Sequence, residues 1–269
     1  QGNDMIKLIA TDIDGTLVKE STPEIYPEML ELIRRWTDGG GYFCVASGRQ
    51  YYSIRHMFEE VSDRIIYVAE NGAHVRYKEQ DILVQKMRRD YVEQIMVQLR
   101  EFYEECDVVV SASSGSLLES ENEKFLRFFA EGYHNKYRVV KDVLAEKEDI
   151  LKIAVYREGS IRSLGEKILI PAWQDKVMTC MAGEEWVDFM DQSVDKGMGL
   201  EKVQEFFGIL PEETMAFGDN SNDIGLMKAA GYSYAVENAR PEVKQAARFS
   251  CPSYREKGVY TTIHKMCGD

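Results

Sequence analysis

Short apolar runs alternate with segments of helical periodicity at both ends of this chain. Near the start, residues 6–11 (IKLIAT), 42–47 (YFCVAS) and 65–70 (IIYVAE) are predicted strands, with helices over about 25–36 and 50–60 between them. The rhythm returns near the end, with a helix at about 197–207, a strand at 214–219, a helix at 222–230, the strand YSYAV and helices near 240 and 258. This alternation predicts an α/β fold with a doubly wound parallel sheet, which binds ligands beyond the carboxyl ends of its strands.

The middle of the chain follows a different rhythm. Its predicted elements are a hairpin around the polar turn KEQD, helices near 90–105, 122–130 and 160–169, and strands at 107–111, 150–156, 176–181 and 185–190. This block is long enough to form a domain of its own. We therefore expect one discontinuous domain built from residues 1–82 and 189–269, with a second α/β domain inserted at 83–188.

The charge balance argues against two classes of partner. The chain has 46 acidic and 33 basic residues and a net charge of -13, which offers no attraction to nucleic acid or to an anionic membrane. Its five cysteines lack the spacing of a zinc site or a disulfide framework, and no apolar run is long enough to span a membrane. We therefore expect a cytoplasmic protein. Residues 1–4 (QGND), ahead of Met5, are expected to be an added leader rather than part of the fold.

Charged and polar side chains follow the predicted strands of the discontinuous domain. Asp12 and Asp14 come at the end of the first strand, Ser47 at the end of the second, and the segment GDNSND (218–223) at the end of a later one, while Lys196 precedes a helix. The carboxyl ends of parallel strands meet at one edge of a sheet, so we expect these groups to lie close together. Carboxylates, an ammonium and a hydroxyl suit a hard cation together with a phosphate.

The two aspartates after the first strand are predicted to have different roles. Residues i and i+2 of an extended segment project to the same side, and two adjacent carboxylates stay ionised together only beside a cation. Mg²⁺ is the expected cation, with Asp219 and Asp223 as further ligands of its shell. Asp12 is then a candidate nucleophile that attacks phosphorus to form an aspartyl-phosphate, and Asp14 is a candidate general acid and base.

The remaining groups are candidates for binding the phosphate. Ser47 and Lys196 could bind the oxygens of the phosphoryl group in transfer, whose charge is the main thing that such a site must stabilise. Gly15 permits a tight exit from the strand, after which Thr16 and neighbouring backbone N–H groups could bind an oxyanion.

In chain order, DIDGT (12–16), SGR (47–49), Lys196 and GDNSND resemble the four motifs of the haloacid dehalogenase (HAD) superfamily phosphatases. The insertion between the second and third motifs, the ENGA at 70–73 and the tail AGYSYAVENARPEVKQAA resemble the Cof-type (class IIB) branch, whose members carry a large α/β cap. The resemblance covers the core almost end to end, whereas the inserted block matches only in length and α/β character. It implies a Rossmann-like HAD core with an inserted cap domain that determines substrate specificity.

The resemblance also implies site residues. Asp12 matches the nucleophile, Asp14 the general acid/base whose backbone carbonyl also meets Mg²⁺, Asp219 the magnesium-ligating aspartate, and Ser47 and Lys196 the phosphate binders. The other matches are Gly48, Arg49 and Asn71 as phosphate or substrate contacts, with Asn222 and Asp223 as the pair that orients the metal shell, the phosphate and Lys196. Asn71-Gly72 alone also predicts a hairpin turn, so a purely structural role of Asn71 stays open.

The expected activity is that of a Mg²⁺-dependent phosphatase that hydrolyses a small phosphorylated metabolite through an aspartyl-phosphate. Sugar phosphates are the first expected substrates, and pyridoxal phosphate, flavin mononucleotide (FMN) and nucleotide-like monoesters are the alternatives. A phosphomutase and a non-catalytic metabolite-binding regulator are two further hypotheses. We expect a monomer or a homodimer, with no nucleic-acid or membrane partner.

Overall fold

The computed structural model describes residues 6–267, so the expectation for residues 1–4 lies outside the described part of the chain. The chain divides into two compact units, one formed by Gln1–Leu83 with Asp195–Asp269 and the other by Val84–Val194. Within residues 6–267, no helix has both the length and the apolar character that crossing a membrane requires.

Strands and helices alternate in the two terminal parts of the chain, whereas the middle part also contains strands that follow one another directly. The strands are β1 (Leu8–Thr11), β2 (Tyr42–Ala46), β3 (Ile65–Ala69), β4 (His74–Tyr77), β5 (Gln80–Val84), β6 (Asp107–Ala112), β7 (Gly115–Leu118), β8 (Tyr137–Val139), β9 (Ile150–Tyr156), β10 (Met178–Met181), β11 (Trp186–Met190), β12 (Thr214–Gly218), β13 (Tyr232–Val236) and β14 (Phe249–Cys251). The helices are α1 (Pro27–Asp38), α2 (Tyr51–Met57), α3 (Arg89–Leu99), α4 (Glu123–Tyr133), α5 (Arg162–Leu164), α6 (Ile170–Trp173), α7 (Lys196–Phe207), α8 (Ile224–Ala229), α9 (Pro241–Ala246) and α10 (Gly258–Cys267).

The sheet of the first unit has the strand order β14-β13-β12-β1-β2-β3-β4-β5. Neighbouring strands are parallel from β14 to β3, and β4 is antiparallel to β3. The chain moves outward from β1 to β3 on one side and later from β12 to β14 on the other, so the strand order reverses between β1 and β12. Ligand sites in sheets of this kind lie at such a reversal, beyond the carboxyl ends of the strands.

Burial on both faces explains why the central strands read as unbroken apolar runs. Every residue of β1, β3 and β12 is buried, although successive side chains point to opposite faces of the sheet. Helices therefore cover both faces, as in other doubly wound sheets. Helix α1 presents Met29, Leu30, Leu32 and Ile33 to the core, ends at Asp38 and is capped by Gly39. The predicted α/β fold, a doubly wound parallel sheet with an inserted α/β block, is confirmed.

The second unit is built on a six-stranded sheet of order β10-β11-β9-β6-β7-β8. Its strands pair antiparallel except for β7 and β8. Alternate residues of β6 enter two separate cores: Val108 and Val110 pack with residues of α3, and Val109 packs with Phe125 and Phe129 of α4. The unit therefore has a hydrophobic core on each face of its sheet.

The structure differs from the sequence-based elements at three kinds of place. Strands β7, β8 and β14 have only three or four residues, too few for a recognisable periodicity. The helix expected at 160–169 is broken into α5, a π-helical turn at Gly165–Leu169 and α6, which contains Pro171 and so lacks one backbone donor. The second junction was placed at 189, inside β11, whereas the inserted unit extends to Val194 because β11 pairs with β9 and β10.

Candidate functional site

The loops that follow β1 and β12, together with the first residue of α7, place four charged side chains in one cluster. Asp12 directly follows β1, Asp219 directly follows β12, Asp223 closes the short 3-10 turn that leads into α8, and Lys196 begins α7. Strands β1 and β12 are neighbours in register, with Thr11 beside Phe217. The reversal of strand order thus joins groups from opposite ends of the sequence.

Lys196 is the centre of this cluster. Its Nζ donates to Asp12 Oδ1 at 2.9 Å and to Asp223 Oδ1 at 2.7 Å, and its side chain is 1% exposed. Burial alone would lower the pKa of Lys196, but the charges of Asp12 and Asp223 outweigh burial and hold the pKa above its ordinary value. The lysine therefore stays a cation in the interior.

The three carboxylates of Asp12, Asp219 and Asp223 each offer an oxygen within 4.8 Å of the others. The Thr16 hydroxyl lies 3.0 Å from Asp12 Oδ2 and 2.8 Å from Asp219 Oδ1, so it bridges two of them. Burial raises the pKa of Asp12 well above its ordinary value, and repulsion from Asp223 and Asp219 adds to the effect. Burial also raises the pKa of Asp219. One lysine does not offset this concentration of negative charge.

Asp223 has both carboxylate oxygens engaged. Its Oδ1 accepts from Lys196, and its Oδ2 accepts from the backbone N–H groups of Asp219 (3.0 Å) and Asn220 (3.1 Å). Gly218 fits tightly beside it, because a Cβ at that position would lie 2.5 Å from Asp223 Cβ. This carboxylate fixes the loop after β12 and the ammonium of Lys196 at the same time.

Asp14 lies outside the carboxylate cluster and has other partners. Arg49 Nε donates to Asp14 Oδ2 at 2.9 Å, Arg49 Nη2 donates to Oδ1 at 2.8 Å, and the backbone N–H of Ser21 donates to Oδ1 at 3.1 Å. The Asp14 side chain is 26% exposed, whereas Asp12 is buried. Asp12 and Asp14 therefore stand in different electrostatic surroundings although they are two residues apart.

A tight turn connects the remaining predicted site residues. Asn71 donates its backbone N–H to the carbonyl of Ser47 at 3.0 Å, and the Asn222 side-chain amide donates to Asn71 Oδ1 at 3.3 Å. A Cβ at Gly48 would lie 3.1 Å from Asn71 Oδ1. The turn at Glu70–Gly72 has positive φ at all three residues and joins β3 to the antiparallel β4. The structure thus gives Asn71 a place in a strand connection and also brings it to Gly48 and Asn222.

A divalent cation fits the donor set of the cluster. Two buried carboxylates, Asp12 and Asp223, contact the single ammonium, the partly buried Asp219 lies beside them, and carboxylate oxygens are the ligands that Mg²⁺ prefers. Asp12 and Asp219 are the residues that would hold the ion, because Asp223 accepts three hydrogen bonds, two of them from the backbone of its own loop. A metal contact of Asp14 through its backbone carbonyl stays a prediction.

Two contacts of the site were missed from sequence. Asp195, the residue before Lys196, caps α7. Its Oδ1 accepts hydrogen bonds from the N–H groups of Gly197 (2.7 Å) and Met198 (3.2 Å), which fixes the start of the helix. An aspartate directly before a predicted helix is a recognisable cap signal. The pairing of Arg49 with Asp14 has no local signal, because it depends on two loops that the sheet brings together.

The chain is similar to known proteins over nearly its whole length. Residues 9–263 match the family model of haloacid dehalogenase-like hydrolases. The 5-amino-6-(5-phospho-D-ribitylamino)uracil phosphatase YbjI of Escherichia coli (strain K12) is 29% identical and aligns over 97% of this chain and 96% of its own length. A crystal structure from Eubacterium rectale has a TM-score of 0.85 at 35% identity, covering 96% of this chain and 98% of that chain. The subclass IIB sugar phosphatase BT4131 has a TM-score of 0.80 at 23% identity, covering 96% of this chain and 97% of that chain, a likeness that shows the fold alone.

Proposed function

Because this chain belongs to the haloacid dehalogenase-like hydrolases and is a phosphoric monoester hydrolase of their Cof-type branch, we propose that it releases phosphate from a small metabolite through an aspartyl-phosphate on Asp12. The observation that carries the proposal is the buried Lys196 ammonium, held between Asp12 and Asp223 at 2.9 and 2.7 Å. A nucleophilic carboxylate beside a fixed cation suits an attack on an anionic phosphoryl group.

The proposed reaction has two steps. The Asp12 carboxylate attacks phosphorus, the bond from phosphorus to the ester oxygen breaks, and Asp14 gives its proton to the departing alcohol. Water then attacks the phosphorus of the aspartyl-phosphate and loses a proton to Asp14, and phosphate leaves as Asp12 is regenerated. Lys196 neutralises charge on the phosphoryl oxygens, and Ser47 is proposed to bind them. A bound Mg²⁺ would add further neutralisation of that charge.

The proposed substrate class is the phosphomonoester of a sugar or a sugar alcohol. The E. coli relative is named for a substrate with a phosphoribityl group, which is a sugar-alcohol phosphate attached to a pyrimidine. This support agrees with the sugar phosphates expected from sequence. Pyridoxal phosphate, FMN and other nucleotide-like monoesters remain in the proposal as alternatives. We assign the choice among them to the inserted unit, and we place the enzyme in the cytoplasm.

A substrate panel tests the proposal. The full-length protein with Mg²⁺ is incubated with p-nitrophenyl phosphate, benzyl phosphate, ribitol 5-phosphate, hexose 6-phosphates, 5-amino-6-(5-phospho-D-ribitylamino)uracil, FMN and pyridoxal phosphate, and released phosphate is measured. We expect steady release that ends when Mg²⁺ is chelated, with the highest kcat/KM on a sugar or sugar-alcohol phosphate. Isomerised sugar phosphate with little free phosphate, and activation by a sugar bisphosphate, would instead indicate a phosphomutase. No turnover of any compound would favour a non-catalytic regulator.

A further inference from the structure

The guanidinium of Arg49 forms a two-point contact with the carboxylate of Asp14. Arg49 Nε donates to Oδ2 at 2.9 Å and Arg49 Nη2 donates to Oδ1 at 2.8 Å, so both oxygens of the carboxylate are held. The planar fork of arginine matches the geometry of a carboxylate and fixes its orientation, which the point charge of lysine does not do. The Arg49 side chain is only 13% exposed.

The backbone of Arg49 is itself fixed. Its N–H donates to the hydroxyl of Ser47 at 3.1 Å, and its carbonyl accepts from the N–H of Glu70 at 3.0 Å. On the other side, the N–H of Ser21 approaches Asp14 Oδ1 at 3.1 Å. The guanidinium therefore stands on a rigid turn, and the carboxylate that it holds is secured from two directions.

Each of the two aspartates after β1 thus pairs with a different basic side chain. Lys196 contacts Asp12, and Arg49 contacts Asp14. Among residues 6–267, the group of carboxylates close enough to share an ion contains Asp12 but omits Asp14. A mobile Asp14 side chain would be attracted to the same Lys196 and the same ion. The pairing with Arg49 opposes such a movement of the Asp14 side chain toward Lys196.

We propose that Arg49 is a positioning residue that orients Asp14 for proton transfer to the departing alcohol, and that it acts through Asp14 rather than through the phosphoryl group. The inference rests on the proposed function, since it assigns a partner to the proton donor of that reaction. It differs from the phosphate or substrate contact that the SGR motif implies for Arg49. The distinguishing consequence is that Arg49 matters only when the leaving group needs a proton.

Two substrates of similar size separate these roles. The p-nitrophenolate ion is stable and leaves without a proton, whereas the alkoxide of benzyl alcohol needs one. The ratio kcat/KM reports steps up to the transfer of the phosphoryl group, so it excludes later hydrolysis of the aspartyl-phosphate. We expect Arg49→Met to lower kcat/KM on benzyl phosphate by about 100-fold, the low end of general acid catalysis, and on p-nitrophenyl phosphate by less than about fivefold. Arg49→Lys, which keeps the charge but lacks the fork, should show the same selectivity in weaker form.

Three controls complete the experiment. Arg55→Met removes a neighbouring arginine that pairs with Glu79 at the surface, and it should leave kcat/KM unchanged on both substrates. In an Asp14→Asn background, Arg49→Met should lower kcat/KM little further, because the carboxylate through which Arg49 acts is already lost. The inhibition constant of inorganic phosphate should be unchanged in Arg49→Met.

Equal losses on both substrates with a weakened affinity for phosphate would overturn the proposal and make Arg49 a phosphoryl contact. Full activity of Arg49→Met on benzyl phosphate would overturn it as well. If Arg49→Met fails to fold, Arg49→Lys decides by the same ratio of the two substrates. Failure of the proposed function is a separate result, because the unaltered enzyme would then release phosphate from neither compound.

Discussion

Lys196 Nζ lies 2.9 Å from Asp12 Oδ1, and this pair is buried although its members are 184 positions apart. The lysine offsets only part of the unfavourable environment of Asp12, whose pKa is raised by burial first and by Asp223 and Asp219 in addition. The ionised form of Asp12 therefore lowers the stability of the fold while it supplies the proposed nucleophile. Activity and stability are expected to respond in opposite directions when this carboxylate is neutralised.

Asp12→Asn tests that expectation. The amide cannot attack phosphorus, so kcat should fall by about 10⁴-fold or more. The thermal midpoint should stay level or rise, because a neutral group of the same shape removes the cost of a buried, crowded charge. Phosphate release and a thermal melt give the two readouts.

Trapping of the ³²P-labelled phosphoenzyme tests separately whether Asp12 is the nucleophile. After acid quenching with ³²P-labelled p-nitrophenyl phosphate, Asp14→Asn should retain label, because it can accept the phosphoryl group but lacks the base that activates water. Asp12→Asn should retain none. Label on Asp12→Asn, or most of its activity preserved, would rule out the covalent route through this residue.

Asp219→Ala is expected to weaken Mg²⁺ binding while leaving the fold intact. Removing one of the two carboxylates that would hold the ion should raise the Mg²⁺ concentration for half-maximal activity by at least about tenfold. Calorimetric titration of the apo protein with Mg²⁺ measures the same change without turnover. Glu242→Ala is the matched control, since this exposed carboxylate bonds Ser221 of the same loop region without joining the cluster. An unchanged Mg²⁺ dependence in Asp219→Ala would contradict its role as a ligand.

Gly72→Ala should destabilise the protein and lower kcat together. Gly72 has φ of +107°, and a Cβ there would lie 2.2 Å from the carbonyl oxygen of Asp195, the residue before Lys196. Strain and the clash with backbone should together cost about 3 kcal/mol of unfolding free energy. Gly40→Ala is the matched control, because Gly40 has φ of +89° with no atom within 4 Å and should cost only about 1 kcal/mol. Equal effects of the two substitutions in urea unfolding would show that the contact with Asp195 is unimportant.

Glu119 gives the inserted unit a pH-dependent contribution to stability. Burial alone would raise the pKa of Glu119, but hydrogen bonds from Arg100, the N–H of Val143 and Tyr103 outweigh burial and hold the pKa below its ordinary value. A lowered pKa in the folded state stabilises the protein above the unfolded value, about 4.3, and the contribution is lost as the pH falls through the folded value.

Glu119→Gln should therefore cost about 2 kcal/mol at pH 7 and progressively less below about pH 4. Urea unfolding at a series of pH values measures the difference from the unaltered protein. Glu158→Gln is the control, because Glu158 pairs with Lys124 at the surface with 68% of its side chain exposed and should have little effect at any pH. A cost for Glu119→Gln that is the same at pH 7 and pH 3.5 would refute this reading of the pKa.

The central strands and their terminal side chains could be predicted from sequence because their signals are local. An apolar run such as β1 predicts a buried strand by itself, and Asp12 and Asp219 directly follow two such runs. Once the sheet was expected to be parallel, its topology required those ends to share an edge. Lys196 was placed by its position between the motifs and by the resemblance, since a lone lysine carries no local signal.

Contacts that depend on how loops meet could not be predicted in this way. The bond between Arg49 and Asp14 requires the loop after β2 to approach the loop after β1, and no periodicity encodes that approach. The short strands β7, β8 and β14 each pair with a neighbouring strand, and three or four residues are too few for their own sequence to distinguish a strand from a loop. The second boundary of the inserted unit was missed for a related reason, since β11 belongs to a sheet whose register only the structure gives.

The position of β12 beside β1 also has a consequence for how the protein is made. During synthesis the residues through Val194 leave the ribosome before β12 does, so the inserted unit can complete its own sheet while β1 still has an open edge. During that interval Asp12 lacks Lys196, Asp219 and Asp223, all of which come later in the chain. A chain that ends before residue 196 therefore carries the proposed nucleophile without its proposed partners, and we expect catalytic competence only after Asp223 has been added.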